Sequence, residues 1–426
     1  MDTIFALASA AGKAGVSVVR VSGPEAWSAV ERLAGSLPRP RVAAVRRLVS
    51  EDGDHLDEAL VLVFEAGASF TGEKVAEFQV HGSIAVVQVL LRSLHAMPGL
   101  RPAEAGEFTR RAMNNGRLDL TQVEALADLI EAETEQQRRQ ALKLLSGALG
   151  QRVLSWRKDI VRAVSLLEAT IDFVDEEVPV DVSDEVDGLL DRVARALEQE
   201  LRGLASAERV RLGFEVAIVG PPNAGKSTLL NYLAGRDAAI TSEIAGTTRD
   251  IIEVRMEIGG LAVTLLDTAG LRESEDSIER IGVARARERA EAADLRVHLV
   301  PEGEGPLLAV QQGDIVVGAK ADVCGSSGVS GLTGSGVPEL LRQIEVTLSS
   351  RVQGAGLASR ERHRLALRDG LTHLQEARVL LQSGPDLYDV TSEEIRIAAR
   401  RLEQLVGHVD VEHVLDEIFA SFCVGK

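Results

Sequence analysis

Residues 220–227 carry the strongest chemical signal in this chain and read Gly-Pro-Pro-Asn-Ala-Gly-Lys-Ser. The segment matches the pattern G-x-x-x-x-G-K-S/T, follows an apolar run at 216–219 and precedes a helix-compatible stretch at 228–234. In such a strand–turn–helix unit, backbone N–H groups and the helix N-terminus converge on a point that suits a polyphosphate. We predict that Lys226 reaches the β- and γ-phosphates and that the Ser227 hydroxyl ligates Mg²⁺. An ordinary glycine turn in an α/β unit is the alternative interpretation.

Two further segments are predicted to surround Mg²⁺ and the γ-phosphate. In Asp267-Thr-Ala-Gly270, Asp267 would hold Mg²⁺ through water and the Gly270 N–H would face the γ-phosphate. Thr248, in a Gly-Thr-Thr-Arg-Asp stretch, would complete the Mg²⁺ shell. Ras-like enzymes follow the glycine with a glutamine that orients the attacking water, but here Leu271 cannot do so. The acidic segment 272–280 offers other groups for this task, although a solvated switch loop would have the same composition.

Residues 319–322 are predicted to read the base. Asp322 would accept two hydrogen bonds from guanine that adenine cannot donate, so the motifs together and in this order predict GTP. The first residue of this motif is usually Asn or Thr, whereas Ala319 forms no side-chain hydrogen bond. Losing one neutral hydrogen bond costs roughly 0.5–1.5 kcal/mol, so guanine affinity is expected to fall while Asp322 keeps the selectivity. Ser330 begins the predicted last base-contacting loop.

The predicted nucleotide contacts come from five segments of the chain. They are Ala224, Gly225, Lys226, Ser227, Thr228, Thr248, Asp267, Thr268, Ala269, Gly270, Lys320, Asp322 and Ser330. Lys226 and Arg249 are in addition predicted to act in catalysis.

The composition limits the class of protein. A chain of 426 residues with a hydrophobic fraction of 45% is long and apolar enough for two to four globular domains. We expect a cytoplasmic protein without membrane association, since no apolar run approaches the ~18 residues of a membrane span and no export signal is recognisable. Two cysteines, Cys324 and Cys423, make no disulfide framework. The net charge of -18 disfavours a protein that coats nucleic acid, unless a partner supplies the basic surface.

Changes of pattern along the chain predict a multidomain fold of α/β and α type. Residues 1–118 alternate short β-rich runs with helix-like pieces, which indicates a compact α+β domain. Helical apolar spacing dominates residues 119–211 and returns in 349–426, so these form the two parts of a helical bundle domain. Residues 212–348 are predicted to be a Ras-like P-loop α/β GTPase domain inserted into it. Thr121-Gln-Val-Glu124 matches a capping box at the start of the helical part.

The motif order, the embedding in helices and the last residues, Phe422-Cys-Val-Gly-Lys426, resemble the family of tRNA-modifying GTPases called MnmE or TrmE. The likeness covers nearly the whole chain. It rests also on the stretches at 2–6, 20–24, 71–77, 81–82, 101–110 and 115–122.

The resemblance implies a chemistry beyond GTP hydrolysis. Members work with an FAD-containing partner of the MnmG type, in a hetero-oligomer, and install an aminomethyl or carboxymethylaminomethyl group at C5 of the wobble uridine of certain tRNAs. The one-carbon unit would come from a tetrahydrofolate derivative, in the 5-formyl or methylene form, bound by residues 1–118, which would also form a homodimer. By motif match, Arg20, Glu77, Arg117 and Lys426 would contact the folate. Without the resemblance, ordinary surface ion pairs would be the better interpretation.

The resemblance also implies activation of GTP hydrolysis by K⁺ in place of an arginine finger. Asn223 would ligate K⁺, with Ser242, Ile244 and Thr247 completing its shell, and Glu279 matches the family's water-orienting glutamate. Asparagine in a turn is the more common explanation of Asn223 taken alone.

Two further positions are interpreted through the family pattern. Cys423 is a candidate nucleophile, although a structural cysteine is an equal alternative. The stretch from Asp294 to Lys320 is short for the family, and 301–305 occupies the place of a strand-to-helix crossover. We therefore expect a missing helix that loosens this edge of the nucleotide domain.

The competing hypothesis is a ribosome- or membrane-associated regulatory switch whose output is partner binding. Folate binding by residues 1–118 would discriminate the two, because a pure switch needs no pterin site.

Overall fold

The computed structural model of the chain describes residues 2–172, 181–236, 253–267, 287–324 and 328–407, together with Phe419 and Gly425. Two compact units are distinguished by their internal packing. One comprises residues 1–127 and 403–426, and the other comprises residues 128–402. Within the described ranges, no helix combines the length and the apolar character that a membrane span requires.

The first unit contains a six-stranded sheet with the strand order β3-β4-β5-β2-β1-β6. Neighbouring strands pair antiparallel, except that β1 and β6 pair parallel. Its strands are β1 (Thr3–Leu7), β2 (Ala14–Ser22), β3 (Ala44–Val49), β4 (His55–Phe64), β5 (Val75–Gly82) and β6 (Leu100–Pro102). Its helices are α1 (Ala26–Ala34), α2 (Ile84–His95) and α3 (Glu107–Asn114). The mixture of sheet and helices agrees with the predicted α+β character.

Helices α1 and α2 close one core of the first unit because each carries an apolar stripe at helical spacing. In α1 the buried positions are Ala26, Ala29, Val30 and Leu33, and the helix ends at Gly35 in the left-handed conformation. The buried side chains of α1 and α2 join those of β1 to β5 in one hydrophobic cluster.

Helix α4 (Leu120–Glu131) begins close to the predicted boundary, but the predicted capping box is wrong by two residues. The Asp119 carboxylate accepts the backbone N–H of Gln122 at 2.8 Å, and the Gln122 side chain accepts the Asp119 N–H at 3.0 Å. Thr121 and Glu124 lie inside the helix and are buried. Asp119 is the residue that precedes the first helical position, so its side chain is the one that reaches the free N–H groups.

The second unit combines a helical layer with a second sheet. Its long helices are α5 (Glu135–Leu145), α6 (Ala148–Asp172), α7 (Ser183–Leu212), α12 (Glu361–Gln382) and α13 (Tyr388–Glu403). Helix α7 packs against both α6 and α12, which agrees with the predicted helical bundle. A capping box at Thr134 and Gln137 starts α5.

The second sheet has the strand order β12-β11-β10-β7-β9-β8 and is parallel except for the β8–β9 hairpin. Its strands are β7 (Phe214–Val219), β8 (Glu253–Ile258), β9 (Leu261–Asp267), β10 (Leu295–Val300), β11 (Ile315–Ala319) and β12 (Gly328–Val329). The associated helices are α8 (Lys226–Ala234), α9 (287–292), α10 (Ala321–Cys324) and α11 (Val337–Arg351). β7 lies between β9 and β10, so the segments after β7, β9 and β11 share one edge of the sheet.

Residues 301–314 connect β10 to β11 and contain no helix, as predicted. Parallel strands are usually joined by a crossover helix, which covers the sheet and fixes the second strand. Here β11 nevertheless pairs with β10 over four residues. The expected loosening of this edge is opposed by buried ionic contacts between β10 and the residue that precedes β11.

An ionic network fixes the N-terminal segment of the first unit. Arg101 and Arg111 both donate to the Glu107 carboxylate, and both also bond the Asp2 carboxylate. Arg111 is also paired with Glu73 at 3.2 Å. Burial would raise the pKa of Glu107, but hydrogen bonds from Arg101, from the Glu104 N–H and from Arg111 outweigh it, so the pKa is lowered. The network therefore requires the ionised carboxylate.

We expect Glu107→Gln to lower the free energy of unfolding by roughly 1–3 kcal/mol at pH 7, because two partly buried guanidinium groups lose a charged acceptor. A carboxylate whose pKa is depressed on folding stabilises the fold above its unfolded pKa of about 4.3, and this contribution disappears as the pH falls through the folded value. The difference between the variant and the unaltered protein should therefore shrink on acidification. Urea unfolding at pH 7 and in acid measures this. Glu31→Gln, at an exposed position of α1, is the control; an equal loss in both variants would contradict the role of Glu107.

Candidate functional site

The loop between β7 and α8 has a backbone conformation that few residue types adopt. Asn223 has a φ of 62° and Gly225 a φ of 93°, both in the left-handed region. Gly220 approaches β10 so closely that a Cβ there would lie 2.7 Å from the Leu299 carbonyl oxygen. Gly225 directly precedes the first residue of α8, so the loop delivers the chain into the helix N-terminus. This is the geometry in which main-chain N–H groups bind an anion.

Lys226 is held inside this loop. Its side-chain ammonium donates to the carbonyl oxygens of Gly220 at 2.8 Å and Pro221 at 3.0 Å, and the residue is only 6% exposed. An ammonium with three donors fixed at the helix N-terminus can transfer its hydrogen bonds to phosphate oxygens that occupy the loop.

Two of the three side chains predicted to hold Mg²⁺, those of Ser227 and Asp267, are in contact with each other. The Ser227 hydroxyl, in the first turn of α8, donates at 2.6 Å to the carboxylate of Asp267, the last residue of β9. Asp267 is 5% exposed, and its Oδ1 atom has no hydrogen-bond partner among the described residues. A buried carboxylate oxygen without a partner, beside a hydroxyl, is a donor set that suits a hydrated Mg²⁺.

A cavity of about 290 Å³ joins the loop to the segments that were predicted to read the base. Its walls come from the 224–229 segment, from Lys320 and Asp322, and from residues 329–332. The sequence therefore identified three of the walls. Four lining residues were not predicted, because their only signal is apolar character in or next to a motif; they are Leu229, Leu299, Val323 and Val329.

Local backbone conformation and hydrogen bonds shape the two segments that were predicted to read the base. Lys320 has a φ of 55°, which turns the chain sharply after β11 and into α10. The Ser330 hydroxyl accepts the N–H groups of Leu332 and Thr333, both at 3.2 Å, and so shapes the last loop. Ala319 is buried in the hydrophobic core of the sheet and contributes no polar contact, as its side chain predicts.

Many predicted residues lie outside the described part of the chain, and their roles stay predictions. These are Ser242, Ile244, Thr247, Thr248, Arg249, Thr268, Ala269, Gly270, Glu279, Cys423 and Lys426.

In the first unit, Arg20 and Glu77 face each other across the β2–β5 pair. The Arg20 guanidinium donates to the Glu77 carboxylate at 2.9 Å and lies over the rings of Phe70 and Phe108, at 5.4 and 5.8 Å from their centroids. Both charged side chains remain about one-fifth exposed, at 20% and 18%. The pair is thus preorganised and still accessible to a polar ligand.

Gly425, the one described residue of the C-terminal motif, approaches the same sheet. A Cβ on Gly425 would lie 2.1 Å from the Leu7 carbonyl oxygen, so only glycine allows this approach. Leu7 follows Ala6, and Ala6 is the cross-strand partner of Arg20. The Arg117 side chain lies next to Gly72, where a Cβ would be 3.3 Å from its Cγ atom.

Comparison with known proteins covers the whole chain. A family model described as the MnmE helical domain matches residues 120–423, and one described as the GTP-binding protein TrmE N-terminus matches residues 3–117. The chain is 59% identical to the tRNA modification GTPase MnmE of Roseobacter denitrificans and 58% identical to that of Cereibacter sphaeroides. Each comparison covers 100% of this chain and 100% of the relative. Among solved structures it is similar to Era of Aquifex aeolicus bound to GDP and AlF4⁻, with 27% identity and a TM-score of 0.25, over 32% of this chain and 56% of that chain.

We expect Ser227→Ala to weaken Mg²⁺-dependent binding of GDP about tenfold, because the metal loses a hydroxyl ligand and Asp267 loses its donor. Binding in EDTA should change little, since the loop amides and Lys226 remain. Titration of a fluorescent GDP with and without Mg²⁺ measures both. Ser383→Ala, at an exposed helix end, is the control. An unaltered Mg²⁺ response in Ser227→Ala would show that the hydroxyl is not a ligand.

Proposed function

This chain belongs to the MnmE family of tRNA modification GTPases, and on that premise we propose that it is a K⁺-dependent GTPase that acts with an FAD-containing partner of the MnmG type. The pair adds an aminomethyl or carboxymethylaminomethyl group to C5 of the wobble uridine of certain tRNAs, using a tetrahydrofolate one-carbon unit. The observation that carries the nucleotide half of this proposal is the cavity in which the phosphate loop meets Asp322 and Ser330.

The loop residues position the nucleotide. Lys226 exchanges its two loop carbonyls for phosphate oxygens, and Ser227 with Asp267 holds Mg²⁺ in the hydrated site. Asp322 accepts the two donors of guanine and so excludes adenine. Mg²⁺ supplies charge neutralisation at the β- and γ-phosphates when it is bound.

Hydrolysis needs two further groups because Leu271 cannot orient water. K⁺ would be held by the Asn223 side chain and by the segment with Ser242, Ile244 and Thr247. Asn223 lies in the loop between β7 and α8 with a left-handed backbone conformation. The same conformation is also typical of an asparagine that only forms a turn. Glu279 would orient the attacking water, and Arg249 lies in the same switch segment as Thr248.

Folate binding is supported by the accessible Arg20–Glu77 pair and by the close approach of Gly425 to β1. Glu77 can accept from the donor edge of a pterin, and Arg20 can pair with its carbonyl or with a carboxylate. Lys426 directly follows Gly425 in the sequence. Arg117 supplies a further cation, and Cys423 is either a nucleophile or a packed thiol in the same motif. Homodimerisation through residues 1–118 completes the proposal.

GTP hydrolysis should be several times faster in KCl than in NaCl of equal ionic strength, because a fixed monovalent cation neutralises charge at the β–γ bridge. Asn223→Gly, which removes the amide and tolerates the left-handed backbone, should lose this difference and keep its affinity for GDP. Glu279→Ala should slow hydrolysis far more than it weakens GTP binding. Phosphate-release assays in both salts decide this. Asn231→Ala, exposed on α8, is the matched control. Equal rates of the unaltered protein in both salts would remove the K⁺ assignment.

Deletion of the gene should leave the wobble uridines unmodified, and the unaltered gene should restore the modified nucleosides. Arg20→Ala and Glu77→Gln should fail to restore them while the purified variants still hydrolyse GTP, because the folate site lies in the other unit. Arg39→Ala, an exposed arginine of the first unit, is the control and should restore them. Mass spectrometry of tRNA nucleosides is the readout. Modified wobble uridines in the deletion strain would refute the proposed function.

A further inference from the structure

Two features that usually hold a base-reading loop in place, a crossover helix and a polar side chain at the end of the strand, are missing from the described residues around β10 and β11 of the second sheet. The β10–β11 connection at 301–314 has no helix, and the described part of the β11–β12 connection, residues 320–324, carries the four-residue α10. At the end of β11, Ala319 offers no hydrogen bond to the neighbouring loops and is packed in the core. Asp322 therefore depends on the position of β11 itself.

A buried ionic cluster lies at the opposite end of β11. The Asp314 carboxylate, one residue before the strand, accepts Arg296 Nε at 3.2 Å and a terminal guanidinium nitrogen of Arg296 at 2.7 Å. It also accepts from His298 Nε2 at 3.0 Å and from the Gln311 N–H at 2.8 Å. The Arg296 and Asp314 side chains are 4% and 7% exposed, and the His298 side chain is 1% exposed.

The register of the strands explains why these side chains meet. Val297 pairs with Ile315, so Arg296 and His298 flank the pair and project to the same face of β10. Asp314 is adjacent to Ile315 and reaches both of them. Arg296 also donates to the Ala309 carbonyl, so the cluster holds the helix-free connection as well as the strand.

The cluster is charged, and its hydrogen bonds fix the relative positions of its side chains. Burial would raise the pKa of Asp314, but the hydrogen bonds from Arg296, the Gln311 N–H and His298 outweigh it and lower the pKa. Since a carboxylate only accepts, His298 carries its proton on Nε2, and its Nδ1 atom has no hydrogen-bond partner among the described residues. A bidentate guanidinium–carboxylate pair in a buried site permits little sliding of one strand along the other.

We propose that Arg296, His298 and Asp314 are positioning residues for guanine recognition, which fix β11 on β10 so that Asp322 faces the base across the cavity. They take over the anchoring that a crossover helix and a polar residue at 319 would provide. The inference rests on the proposed function, because it assumes that a guanine nucleotide occupies this cavity.

The test compares GDP with IDP, which lacks the 2-amino group and so offers Asp322 one hydrogen-bond donor fewer. In the unaltered protein the ratio of the two dissociation constants reports how well the Asp322 carboxylate is placed. Asp314→Asn should lower GDP affinity about tenfold and bring the ratio close to one, because β11 loses its charged anchor. Asp322→Asn provides the reference for lost base reading.

A purely structural role would lower the melting temperature of Asp314→Asn but leave the GDP/IDP ratio of the folded protein unchanged, and that result would overturn the proposal. Arg296→Lys keeps the charge and loses the bidentate geometry, so it should bring the same ratio part of the way towards one. This variant decides the question if Asp314→Asn does not fold. Glu339→Gln, which breaks an exposed pair with Arg342 on α11, should leave the ratio unchanged. Failure of the unaltered protein to bind GDP would instead refute the proposed function itself.

Discussion

The carboxyl ends of parallel strands meet at one edge of a sheet, and the nucleotide site depends on that constraint. β7 lies between β9 and β10, so the loop after β7 and the aspartate that ends β9 come within hydrogen-bond distance although 40 residues separate Ser227 from Asp267. β11 lies on the other side of β10 and brings Lys320 and Asp322 to the same edge. Motifs that are scattered in sequence are therefore assembled by topology, and their order along the chain is informative because the topology is fixed.

The sequence predicted the parts of this site that are governed by local rules. The residue types of a glycine-rich turn between a strand and a helix predicted the loop and the helix that follows it. The helix-compatible stretch at 228–234 begins two residues after the first residue of α8, Lys226. The capping box was placed wrongly because two overlapping candidates, at 119–122 and 121–124, satisfy the same pattern. Only the true first residue of the helix separates them, and that depends on tertiary packing of α4.

Contacts between distant residues could not be predicted in the same way. Arg296 and His298 occupy alternate positions of a strand and, in sequence, look like a polar face of an edge strand. Their burial follows only from Asp314, which lies 18 and 16 residues away in a connection without helical pattern. The approach of Gly425 to Leu7 could not be predicted either, because a glycine near the end of a chain carries no signal of the strand against which it packs.

The charge of the chain constrains how a tRNA substrate can be held. Binding to a phosphate backbone gains most of its free energy when lysine and arginine displace counterions, but this chain has 47 basic residues against 65 acidic ones. Several of its arginines are already committed to carboxylates, as Arg101, Arg111 and Arg296 show. On the proposed function, the affinity for tRNA must therefore be concentrated in a local basic surface or contributed by the partner, while this chain supplies the folate site and the nucleotide cycle. That division of labour explains how an acidic protein can act on RNA without coating it.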